Sequence, residues 1–165
     1  MSDFVKLLHY SAESFKFNPS RRYGDGDDLH KPSGLWLSVE GDNDWKSWCE
    51  NESFVLNALT YVSEVTLKSN ANVLLIDTLD KLDNFNADFG IPNRLISWDM
   101  PISWGRVRAA YDGIIIAPYQ FDRRHTLMWY YTWDCASGVI WNLSAVDCVT
   151  ALSRKDDPAR HSTLG

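Results

Sequence analysis

The chain has 165 residues, enough for one domain with one sizeable core, and no apolar run approaches the ~18 residues of a membrane-spanning helix. Its formal net charge is −6, which excludes attraction to nucleic acid by bulk charge alone. The three cysteines (Cys49, Cys135 and Cys148) are odd in number and form no C-x-x-C, which argues against a disulfide framework or a zinc site.

Residues Phe4–Tyr10 read as a short strand ending at His9-Tyr10-Ser11. Residues 11–33 are rich in Ser, Asn, Pro, Gly and Asp and read as a long loop, a length that usually serves function. A second strand is expected over Gly34–Val39. Gly41-Asp42-Asn43-Asp44 then offers N-caps for a helix with Trp45, Trp48, Cys49 and Glu52 on one face. Tyr61–Leu67 alternates as a strand, Val73–Asp77 reads as a buried strand, and Leu79–Phe89 as a short helix or loop.

Trp104, Val107 and Tyr111 lie one helical face apart. Asp112-Gly113 turns the chain into Ile114–Ile116, a β-branched run expected of a central strand. Trp129–Trp133 reads as a strand of aromatics and Val139–Trp141 as another, and residues 153–165 form a polar tail. Strands that outnumber helices without alternating with them predict one α+β domain over residues 1–152. No G-x-G-x-x-G and no G-x-x-x-x-G-K occurs, so neither a Rossmann site nor a P-loop is expected.

Met1-Ser2-Asp3-Phe4 lacks the basic and apolar stretches of a signal peptide, and with reduced thiols this points to a cytoplasmic location. Eight Trp make the chain aromatic-rich, which fits a large core, a stacking pocket or an interface. Two arginine-rich clusters offer basic patches: Arg21, Arg22 and Lys31, and Arg106, Arg108, Arg123 and Arg124. Such residues are ordinarily solvated or ion-paired. Cys135 and His125 are the residues a hydrolase would use, although no G-x-S-x-G elbow is present. An acidic, aromatic-rich module that binds a partner protein without catalysis, of the immunity or inhibitor type, is a further alternative.

Three segments stand out together: Leu7-Leu8-His9-Tyr10-Ser11 closing the first strand, Lys31-Pro32-Ser33-Gly34-Leu35-Trp36-Leu37-Ser38 leading into the Trp45/Trp48 helix, and Trp133–Asn142 near the end. Their order resembles the His-Tyr-Glu class of ADP-ribosyltransferases, the diphtheria-toxin-like enzymes and poly-ADP-ribose polymerases. The resemblance implies a compact mixed or antiparallel split sheet with a few short helices. It also implies NAD as substrate, with no metal. His9, Ser38, Asp134 and Ser137 are then the catalytic residues. NAD would be held by His9, Tyr10, Ser11, Tyr23, Gly34, Leu35, Trp36, Trp45 and Trp48.

No Glu heads the late strand. Asp134 in the preceding turn is the expected acid, with Ser137 in its place or Asp112 at another strand edge as alternatives. The resemblance further implies a toxin of bacterial conflict or phage defence, a role that small stand-alone transferases of this kind often have, with a neutralising antitoxin protein as partner. The expected acceptor is a macromolecule, nucleic acid in preference to protein, because aromatic side chains capture a splayed base without much charge. No membrane partner is expected.

Overall fold

The computed structural model describes residues 5–24, 30–92 and 100–152; Phe4 and the polar tail 153–165 lie outside them. Among the described residues there are seven strands: β1 (Leu7–Ser11), β2 (Leu35–Val39), β3 (Tyr61–Leu67), β4 (Val73–Ile76), β5 (Gly113–Ile116), β6 (Ser137–Ile140) and β7 (Val146–Ala151). They form one sheet in the order β4-β5-β6-β2-β1-β3-β7. Every neighbouring pair is antiparallel except β4 and β5. The helices are α1 (Trp45–Glu52), α2 (Leu79–Phe89), α3 (Trp104–Ala110) and α4 (Met128–Tyr131). This is a mixed α+β architecture.

Alternation along the strands builds two cores. Trp36 of β2 and Val139 of β6 face the helices, where Leu82, Phe85, Trp104, Val107, Trp129 and Trp133 form the larger cluster. Leu35, Leu37 and Ile140 point the other way and pack with Val65, Leu143 and Val146. The indole Nε1–H of Trp129 reaches Asn86 Oδ1 (2.9 Å) and that of Trp141 reaches the Tyr111 carbonyl (2.7 Å), so two of the buried tryptophans satisfy their polar edge.

Two expectations are corrected. Trp129–Trp133 is not a strand: Met128–Tyr131 is a short helix, followed by Trp133. Trp129, Tyr130 and Trp133 are all buried: the Trp129 ring meets Phe85 of α2 and Trp104 of α3, and the Trp133 ring, just past the helix, stacks on Trp104, so one face of the segment packs on the helices. Packing of that face overrides the β propensity of an aromatic run. Val73–Ile76 is an edge strand, with Leu75 48% exposed. Leu79–Phe89 settles as a helix, capped by the Thr78 hydroxyl accepting from Lys81 N–H. β7 was not foreseen: Asp147 and Cys148 interrupt its apolar alternation, and pairing with β3 supplies what the pattern lacks.

Candidate functional site

β1 and β2 are joined by two register pairs, Leu7↔Val39 and Leu8↔Ser38, whereas β1 and β3 share five and β2 and β6 share four. The sheet is therefore narrowest between its first two strands, and the ladder ends where the His motif begins. Beyond it, the His9 ring takes over: Nδ1 lies 2.8 Å from the Trp36 carbonyl. A carbonyl only accepts, so Nδ1 carries the hydrogen and Nε2 of the neutral ring is an acceptor. Burial lowers the His9 pKa, against the opposing pull of that backbone bond, and holds the ring neutral.

A cleft of about 310 Å³ opens at this break. His9 and Tyr10 of β1, Trp36 and Ser38 of β2, Trp45 of α1, and Asp134 and Ser137 of the late segment all line it. The size suits part of a nucleotide. Its base is fixed by backbone: the Val39 N–H donates to the Ala136 carbonyl (3.0 Å) and the Ala136 N–H donates to the Asn43 carbonyl (2.9 Å). The turn between β2 and α1 is thus tied to residues 134–137. Asp44 caps α1, its Oδ1 accepting from Ser47 N–H (2.8 Å). Ser38 Oγ accepts from the Trp45 N–H (3.0 Å), so this serine satisfies a free N–H of the first helical turn.

Ser38 and Ser137 face each other directly across β2 and β6. Ser137 donates to the Cys135 carbonyl (3.1 Å). Asp134 is a quarter exposed, its Oδ1 3.9 Å from an Arg124 nitrogen. Burial raises its pKa, Lys31 and then Arg124 pull it back down, and Glu52 adds to the rise. The Tyr10 hydroxyl is pushed up to about 12 by burial and by Asp44, Glu40 and Glu50, so it stays a neutral donor. Trp36 meets Trp133 edge-on (4.8 Å between centroids) and Trp45 stacks on Trp48 (5.3 Å, 14°).

The other expected binding residues are not part of the cleft lining. Ser11 closes a local turn by donating to the Glu13 carbonyl (2.7 Å). Tyr23 sits under the Arg21 guanidinium (4.8 Å) and packs on both cores. Gly34 lets β2 approach β6, since a Cβ there would meet Val139 Cγ2 and the Ile140 carbonyl. Leu35 is core on the opposite face, and Trp48 supports Trp45 from behind.

Asp112 is removed as an acid for this cleft. Its carboxylate accepts from Asn142 Nδ2 (2.6 Å) and Asn72 N–H (2.9 Å). It adjoins Gly113, which pairs with Ile140, at the end of β6 away from Ser137. The Cys135–His125 pair is also unsupported. Cys135 is buried with its thiol pushed up to about 12 by burial, while His125 is exposed against Tyr131.

Lys31, Trp133 and Cys135 line the cleft without having been chosen as site residues. Lys31 reaches over the Trp36 ring (Nζ 5.5 Å from the centroid) and acts on Asp134. Lys31 heads the Lys31–Ser38 segment that the sequence singles out, and Trp133 and Cys135 belong to the Trp133–Asn142 segment. Among the described residues no group of three or more His, Cys, Asp or Glu is arranged to hold a metal, and no helix is long and apolar enough to cross a membrane.

Comparison with known proteins finds no matching family model, no similar curated protein and no similar solved structure.

Proposed function

We propose that the chain is an ADP-ribosyltransferase that binds NAD in the cleft between β1 and β2, splits it at the nicotinamide–ribose bond and passes ADP-ribose to a macromolecule. One observation carries the reading. His9 and Tyr10, Trp36–Ser38 and Trp45, and Asp134, Cys135 and Ser137, far apart in sequence, meet around one cleft where the ladder between the first two strands stops. The sheet, narrowed at that seam, is read as ADP-ribosyltransferase-like.

The chemistry asks little of the protein beyond placement and charge. When the C1′–nicotinamide bond breaks, its electron pair leaves with the nicotinamide and the ribose becomes oxocarbenium-like. An acceptor lone pair then closes the new bond to C1′, and the acceptor's proton passes to solvent. Asp134 supplies the fixed negative charge that steadies the cationic ribose. Neutral His9 accepts a hydrogen bond from a ribose hydroxyl at Nε2, since Nδ1 is held by Trp36. Ser38 donates a second. Trp36 and Trp45 give flat apolar walls for the nicotinamide and exclude water. Lys31 offers the positive charge that a diphosphate requires.

The testing experiment is chromatographic. Purified protein incubated with NAD should release nicotinamide, and Asp134→Asn should release it at least about a hundredfold more slowly.

A further inference from the structure

Beside the cleft the chain presents eight consecutive exposed residues, 50–57. Three of them, Phe54, Val55 and Leu56, are apolar and 47%, 43% and 51% exposed. Scattered apolar side chains at a surface are ordinary, whereas a contiguous apolar patch marks an interaction surface. The segment is anchored to the site. Phe54 packs edge-on against Trp45 (6.3 Å) and Trp48 (5.3 Å). Trp45 and Ala58, on either side of it in sequence, both line the cleft.

The charge beside this prong is acidic. Glu50 and Glu52 are exposed at the end of α1 and Glu40 at the end of β2, while Lys46 is drawn to Glu50 (3.9 Å). Four described arginines are engaged elsewhere. Arg123 forms a forked pair with Asp83 (2.7 and 2.8 Å) and Arg108 donates to the Ser33 carbonyl (2.7 Å). Arg106 lies over Phe89, and Arg124 faces Asp134. A phosphodiester backbone at this rim would meet carboxylates, which repel it. A cationic protein segment would meet complementary charge.

We propose that the Phe54–Leu56 prong and the acidic end of α1 dock a protein acceptor presenting an apolar side chain beside Lys or Arg residues. This rests on the reading of the cleft as a transferase site and names its acceptor class as protein in place of nucleic acid. The prong anchors the acceptor, and the cleft next to it receives the nucleophile.

The test separates docking from NAD cleavage. Cell extract is incubated with the protein and a biotin-bearing NAD analogue, then split into protease-treated and nuclease-treated arms, with nicotinamide release followed in parallel. The label should be lost to protease and resist nuclease. Leu56→Ser and Val55→Asn should lower it at least about tenfold, the loss expected on truncating an interface anchor, with nicotinamide release unchanged. Glu50→Lys should lower the ratio of label to released nicotinamide. Label lost to nuclease, protein label indifferent to Leu56→Ser, or nicotinamide release with no label on either class would each overturn the docking proposal alone. No nicotinamide release would overturn the transferase reading, and this proposal with it.

Discussion

The imidazole of His9 donates from Nδ1 to the Trp36 carbonyl at 2.8 Å, in the place where a β1–β2 ladder bond is missing. That bond fixes the tautomer and leaves Nε2 as an acceptor. His9→Ala should therefore weaken NAD binding by at least about tenfold, the cost of losing one well-placed hydrogen bond. Calorimetric titration of NAD into both proteins checks it, and equal affinities would remove His9 from the site.

His9 also predicts a pH dependence of stability. Its folded pKa is depressed by burial, so the unfolded chain takes up a proton first as the pH falls. The native state keeps its full stability above the unfolded value of about 6.5 and loses it progressively below, down to the depressed folded value. The urea midpoint should fall between roughly pH 7.5 and 5.5, and fall less in His9→Gln, whose amide does not titrate in that range.

Asp134 carries the opposite sign. Its folded pKa is raised, mainly by burial, so the native state holds a proton that the unfolded chain releases. Stability is lost as the pH rises from the unfolded value near 3.9 through the raised folded value. Asp134→Asn should accordingly be at least as stable as the wild type at neutral pH while losing NAD cleavage. The acid limb of the rate profile should lie above the ordinary carboxylate range. A destabilised Asp134→Asn, by thermal melt at neutral pH, would mean that the carboxylate is a structural cap.

Trp45 lines the cleft and Trp48 stands behind it. Trp45→Ala should lower NAD affinity by about tenfold, on the scale of a lost aromatic stacking contact, and Trp48→Ala by clearly less. Tryptophan fluorescence quenching by NAD measures both. Equal losses would mean that the stacked pair acts as one unit.

Gly34 sets the distance between β2 and β6. A Cβ there meets the Ile140 carbonyl at 2.9 Å and the Val139 side chain besides. Gly34→Ala should destabilise by about 1–3 kcal/mol, the usual cost of overpacking. At about 2–4 °C per kcal/mol for a chain of this size, the shift is visible in a melting curve.

Much of this was legible in the sequence where local chemistry and tertiary packing agree. Asp44 reads as a cap and is one, and Gly34–Val39 reads as a strand and is one. The aromatic run at 129–133 has the composition of a strand but folds as a helix, because the helices packed against it decide its period. The cleft was half legible. Motif order points to His9, Tyr10, Trp36, Ser38, Trp45, Asp134 and Ser137, and these come together. Gly34, Leu35 and Trp48 belong to the same stretches but serve the scaffold, a division set by strand alternation and helix stacking. Lys31 lies in a loop without regular structure, where no periodicity predicts the direction of a side chain.

The central claim, that the cleft at the β1–β2 break binds and splits NAD with Asp134 as its fixed negative charge, is tested most directly by nicotinamide release from NAD. The wild type should release nicotinamide. Asp134→Asn should bind NAD but release nicotinamide at least about a hundredfold more slowly, as expected for loss of a preorganised electrostatic partner. Absence of both NAD binding and nicotinamide release in the wild type, or equal release by the two proteins, would contradict it.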